Sequence, residues 1–149
     1  MRGSRPPERQ DERVLVFQME IPIRWGDMDA MGHVNNTVYF RYMEQVRISW
    51  FERLGMRPVP GGLGFVIVNA ACSFLRQFEY PGTVLARQYV GEIGRSSVMT
   101  YVDMSRTDEP GTLHAQGSAK VVLIDTVRQK SAPLTEAMRE MVRQPWRDG

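Results

Sequence analysis

"GDMDAMGHVNNTVYF", residues 26–40, sets two carboxylates, a glycine, a histidine and two asparagines between Asp27 and Asn36, just before a strongly apolar helical pattern. Three readings compete for it: a metal loop, an active site, or a well-made helix start. Upstream, residues 14–25 alternate loosely and are rich in branched side chains, which predicts a strand running into the motif. Downstream, Val38, Tyr39, Tyr42, Met43, Val46, Trp50, Phe51 and Leu54 recur at spacings of three and four, predicting a long helix over 37–54 that Gly55 is placed to end. Its apolar stripe is wide and aromatic, so the helix should lie deep against a sheet.

Beyond a Pro- and Gly-rich stretch at 56–64, the chain is β-like for about sixty residues, broken at "YPG", "EIGRSS", "RTDEPG" and around "DTVRQK". The spacing predicts strands over 64–78, 83–93, 96–106 and 112–125, then a short helix over 134–143 that begins after Pro133. Short turns imply antiparallel pairing. The fold class is α+β: a strand, a long central helix, then an antiparallel meander curling around that helix.

A chain of 149 residues is one domain with room for a real core. Residues 1–13 are polar, carry two prolines and read as a flexible tail, leaving 14–144 as the folded unit. The net charge is only +2, so there is no global electrostatic case for nucleic acid or an anionic membrane. No apolar run approaches the roughly 20 residues that span a bilayer. The single cysteine, Cys72, has no internal disulfide partner and reads as a buried thiol in a reducing, cytoplasmic setting.

Calcium fits the motif poorly. An EF-hand counted from Asp27 would place Met31 and Val38 at positions that need oxygen ligands. A transition-metal set of Asp27, Asp29 and His33 is allowed by spacing alone. The plain structural reading is that Asn35 or Asn36 caps the helix while Asp27 or Asp29 complements its positive end. The functional reading rests on the combination of a loop carboxylate, a glycine permitting close backbone approach, and a helix start with unpaired amides.

"RWGDMDAMGHVNNTVYFRYMEQVRISWFERLG", followed by "FLRQFEYPGTV" and "IGRSSVMTYVDM", resembles the hotdog-fold acyl-CoA thioesterases of the 4-hydroxybenzoyl-CoA thioesterase type, to about Asp125. The resemblance implies an antiparallel sheet wrapped around one central helix, hydrolysis of acyl-CoA, no metal and no cofactor beyond the coenzyme A of the substrate. It also implies a homodimer or homotetramer with sites at the interface. The second aspartate of the family motif falls on Asp29, the catalytic carboxylate, and the oxyanion amide on Asn36. Some relatives keep their carboxylate on the helix, where Glu44 is the acid to consider, although Arg41 and Arg47 stand at pairing distance along the helix.

The chemistry suits these residues. A backbone N–H at a helix start stabilises the oxyanion that a thioester carbonyl becomes, and a thiolate leaves without a strong general acid. The carboxylate then acts as nucleophile or as general base on a water. His33 is a candidate pocket residue, Asp27 a loop-ordering one, and His114 carries no functional argument. Arg95, Ser96 and Ser97, in the "GRSS" turn, are candidates for the coenzyme A phosphates. Rival readings are a hotdog hydratase or dehydratase and a non-catalytic acyl-CoA or acyl-carrier-protein binding module.

Overall fold

In the computed structural model, which describes residues 12–56 and 61–147, the elements run β1 (Val14–Pro22), α1 (Asn36–Arg53), β2 (Leu63–Phe74), β3 (Thr83–Ile93), β4 (Ser97–Arg106), β5 (Ala115–Asp125), β6 (Lys130–Ser131) and α2 (Glu136–Val142). Most of the expected tail, residues 1–11, lies outside the described residues. Arg13 is described, and it is held: its guanidinium grips Asp103 at 3.1 and 2.6 Å and lies 3.8 Å from the centre of the Tyr89 ring.

All the strand pairings are antiparallel, in the order β1-β3-β4-β5-β2, with β6 on β5. The expected simple meander is therefore corrected. β3, β4, β5 and the short β6 follow one another; β2 leaves its sequence neighbour and pairs with β5, Leu63 opposite Asp125 and Phe74 opposite Ala115. Residues 75–78, read from the sequence as the end of a strand, are instead part of the crossing connection. The apolar Phe78 in that connection is fully buried, which is why it reads like a strand residue. The first strand likewise stops at Pro22, and a short 3-10 turn, Trp25–Asp27, takes its place.

Alternation along β3, β4 and β5 sends Val84, Ala86, Val102, Met104, Ala115 and Leu123 to one face. α1 buries Tyr39, Tyr42, Met43, Val46 and Trp50 against it. Met43 passes so close to β5 that a Cβ on Gly117 would lie 2.5 Å from its sulfur. This is the hotdog arrangement, one helix wrapped by an antiparallel sheet. The C-terminal segment closes one end: the Trp146 N–H donates to the Leu15 carbonyl at 2.8 Å and its ring meets Phe17 edge-on at 5.3 Å. Among the described residues, no helix is long and apolar enough to cross a membrane.

One buried polar group stands out. Gln88 of β3 sits between Phe17 and Val102 in the sheet, is 0% exposed, and neither its Nε2 nor its Oε1 finds a hydrogen-bond partner among the described residues. An orphaned buried amide costs about 1–3 kcal/mol. Gln88→Met, similar in length and lacking the amide, should therefore raise stability by about 1 kcal/mol or more in urea denaturation. A lower midpoint would show that the amide is satisfied in solution.

Candidate active site

The motif folds into a loop whose two acids have separate tasks. Asp27 Oδ2 accepts from the Arg24 N–H at 3.0 Å and from the Tyr42 hydroxyl at 2.8 Å, tying the 3-10 turn to the buried face of α1. Burial, and then the bonded carboxylate, push the Tyr42 phenol well above its ordinary pKa, so it remains a donor across the physiological range. The Asn35 N–H donates to the Asp27 carbonyl at 2.9 Å, bringing the turn up to the helix start.

Asp29 heads the next turn. Its Oδ1 accepts from the Met31 N–H at 2.9 Å and, at 3.4 Å, from the His33 N–H. Its own N–H donates to the His33 carbonyl at 2.7 Å, and Gly32 closes the turn at φ +83°, a left-handed conformation that a side chain resists. No hydrogen bond to Oδ2 is seen among the described residues. An isolated bridge between Met28 and Val34 then returns the chain to Asn35. The Asn35 side chain accepts from the Thr37 N–H at 2.9 Å and so is the N-cap, which makes Asn36 the first helical residue. The Asn36 N–H is one of the amides that a helix leaves without an internal acceptor.

His33 points elsewhere: its Nε2 lies 3.6 Å from Glu79 Oε2. Asp27, Asp29 and His33 thus do not converge as ligands, and among the described residues no group of three histidine, cysteine or acidic side chains is placed to hold a metal ion. His114, given no role from the sequence, is buried with its ring stacked on Phe78 at 4.7 Å and 2°. Phe78 in turn receives the Val34 N–H on its carbonyl at 2.9 Å and donates its own N–H to the Tyr39 hydroxyl at 3.1 Å.

Residues 23–142 match the thioesterase-like superfamily, a span covering the loop, α1 and every strand of the sheet except β1. The chain belongs to that superfamily. Among solved structures, the thioesterase-like fold here superposes on the PA2801 protein of Pseudomonas aeruginosa, proposed to be a thioesterase, with a TM-score of 0.80 and 33% identity over 86% of this chain and 98% of that one. A proposed acyl-CoA thioesterase of Xanthomonas campestris gives 0.70 and 30% over 80% and 99%. The DHNA-CoA thioesterase of Staphylococcus aureus shares the fold at 0.73, with 20% identity over 84% and 87%. The uncharacterized protein YsmA of Bacillus subtilis is 36% identical over 71 residues, so the chain spans about half the length of that curated relative, 48% of each.

The other candidates of this thioesterase-like chain fall in distinct places. Glu44 is exposed on α1 and accepts from Arg41 Nη1 at 3.2 Å. Burial pushes the Cys72 thiol up to about 11, so it is protonated at neutral pH and a poor nucleophile. Arg95, Ser96 and Ser97 close the β3–β4 hairpin at the end of the sheet opposite the Asp29 loop, separated by the length of β3, on the order of 30 Å. The structure does not bring them together with Asp29 within one chain. Asp29 itself is exposed, and it lines neither the cavity of about 390 Å³ beside Trp146 nor that of about 330 Å³ beside Arg106.

The bond from Tyr42 to Asp27 joins a core residue to the loop, so removing it should weaken both. Tyr42→Phe should cost about 1.5 kcal/mol in urea denaturation, Asp27→Asn a comparable amount, and the double variant less than their sum. Strict additivity would mean that the two groups are uncoupled in solution.

Proposed function

We propose that the chain hydrolyses acyl-CoA thioesters to a free acid and coenzyme A. Asp29 acts as nucleophile or general base, and the Asn36 backbone N–H at the start of α1 receives the developing oxyanion. The observation that carries this reading is the division of the Asp29 carboxylate: Oδ1 is held by loop amides while Oδ2 stands open in an exposed loop that leads directly to the helix start. Acyl transfer requires such an open carboxylate oxygen. The hydratase alternative, which calls for a histidine beside a carboxylate, keeps one observation of its own, the 3.6 Å approach of His33 Nε2 to Glu79 Oε2, a pair that does not include Asp29.

The working unit in this reading is an even-numbered homo-oligomer. β2 ends the sheet and leaves Ile67, Val68 and Phe74 at 38, 56 and 46% exposure, followed by Leu75 at 55%. A long apolar edge of this kind calls for another strand. Pairing through it would shield the open Asp29 loop, and the Arg95–Ser97 turn of a second copy is the proposed contact for the coenzyme A phosphates. No metal is required by this chemistry.

Thiol release from a panel of acyl-CoAs tests the reading. Asp29→Asn should lower kcat about a hundredfold or more while KM stays near its starting value, and Glu44→Gln should leave both nearly unchanged. Exhaustive EDTA treatment should change the rate little. Light scattering should give an even multiple of 17.1 kDa. Full turnover in Asp29→Asn together with its loss in Glu44→Gln would move the carboxylate to the helix.

A further inference from the structure

The acidic loop is gripped at both ends by one segment. At its entry, the Ile23 N–H donates to the Gly82 carbonyl at 2.9 Å; at its exit, the Val34 N–H donates to the Phe78 carbonyl at 2.9 Å. Residues 78–82 are themselves a connection between strands, with no ladder of their own to hold them. Phe78 is anchored by burial and by the Tyr39 hydroxyl, and residues 79–81 beyond it are held by Arg106, at the end of β4. Its Nη1 donates to the Glu79 carbonyl and its Nη2 to the Pro81 carbonyl, both at 3.0 Å, while Asp108 fixes the guanidinium from the outer side, accepting from Nε at 2.9 Å. Arginine suits this task because its planar fork presents several donors in fixed directions.

Gly82 completes the arrangement. A Cβ there would lie 2.5 Å from both Nη1 and Nη2 of Arg106 and 2.7 Å from Cζ, so the absence of a side chain is what admits the guanidinium. Because the conflicting atoms are the tip of a flexible side chain, a methyl group at position 82 would displace the guanidinium rather than the backbone.

We propose that Arg106, admitted by Gly82, is a positioning residue: it braces residues 78–82 and through them fixes both ends of the loop that carries Asp29. In its kinetic part the proposal rests on the hydrolase reading above. Its structural part does not. A small displacement of a catalytic group lowers turnover steeply without abolishing binding, and that signature separates positioning from general loss of stability.

The test uses the full chain and five variants, with thiol release and amide hydrogen exchange read on each. Arg106→Met should lower kcat about tenfold with KM within about twofold, and should speed exchange at the Ile23 and Val34 amides. Gly82→Ala should do the same, and the double variant should be no worse than the poorer single one, since both remove one brace. Arg106→Lys, which keeps the charge but not the fork, should recover only part of the rate. Asp108→Asn, which touches only the outer side, should stay within about twofold of the parent. Unchanged kcat and unchanged Val34 exchange in Arg106→Met and Gly82→Ala would overturn the proposal, as would additive losses in the double variant. Should Arg106→Met fail to fold, Gly82→Ala and Arg106→Lys decide. If the parent chain releases no thiol from any acyl-CoA, the hydrolase reading fails, and exchange at Ile23 and Val34 still decides the brace.

Discussion

The placement of the amino end of α1 governs everything at the site, and burial of one helix face determines it. Five side chains, Tyr39, Tyr42, Met43, Val46 and Trp50, leave water against the sheet. Each contributes about 1.5–3 kcal/mol, whereas a single loop hydrogen bond contributes about 1 kcal/mol. The helix is therefore set by packing. The polar contacts of the loop then adjust to a helix start whose position is already decided, and the Asn35 cap, the Tyr42–Asp27 bond and the Asp29 turn work on that fixed frame.

The capping reading and the proposed catalytic reading of the motif are compatible in one loop. Asn35 caps the helix, Asp27 orders the turn, and Asp29 shares one oxygen with its own loop. Holding Oδ1 to amides restricts the Asp29 rotamer and aims Oδ2. In the proposed mechanism, loop order and reactivity draw on the same carboxylate, which is why residue types alone do not separate them.

What was legible in the sequence was local. The helix stripe, the alternation of β3 to β5 and the cap all arise from contacts a few residues apart, so periodicity exposes them. The position of β2 was not legible, because its partner β5 lies far along the chain and nothing in the pattern of either strand names the other. The contact of Arg106 with residues 79 and 81 is invisible for the same reason. Gly82 looked like half of an ordinary Pro-Gly turn, since the group that requires its bareness comes from another strand. His114 and Phe78 form a ring stack across the crossing connection, and neither residue carries a spacing signal for it.

The pairing of β2 with β5 also bears on how the chain is made. Leu63 must wait for Asp125, its partner sixty-two positions later. At ribosomal speeds of about 5–20 residues per second, that is a delay of roughly 3 to 12 seconds. During that interval one of the most apolar segments of the protein has left the ribosome with neither of its edges paired. A newly made chain is thus most vulnerable to misassociation in the middle of its synthesis, before its third hairpin strand exists, and crowded neighbouring nascent chains would meet at that same strand.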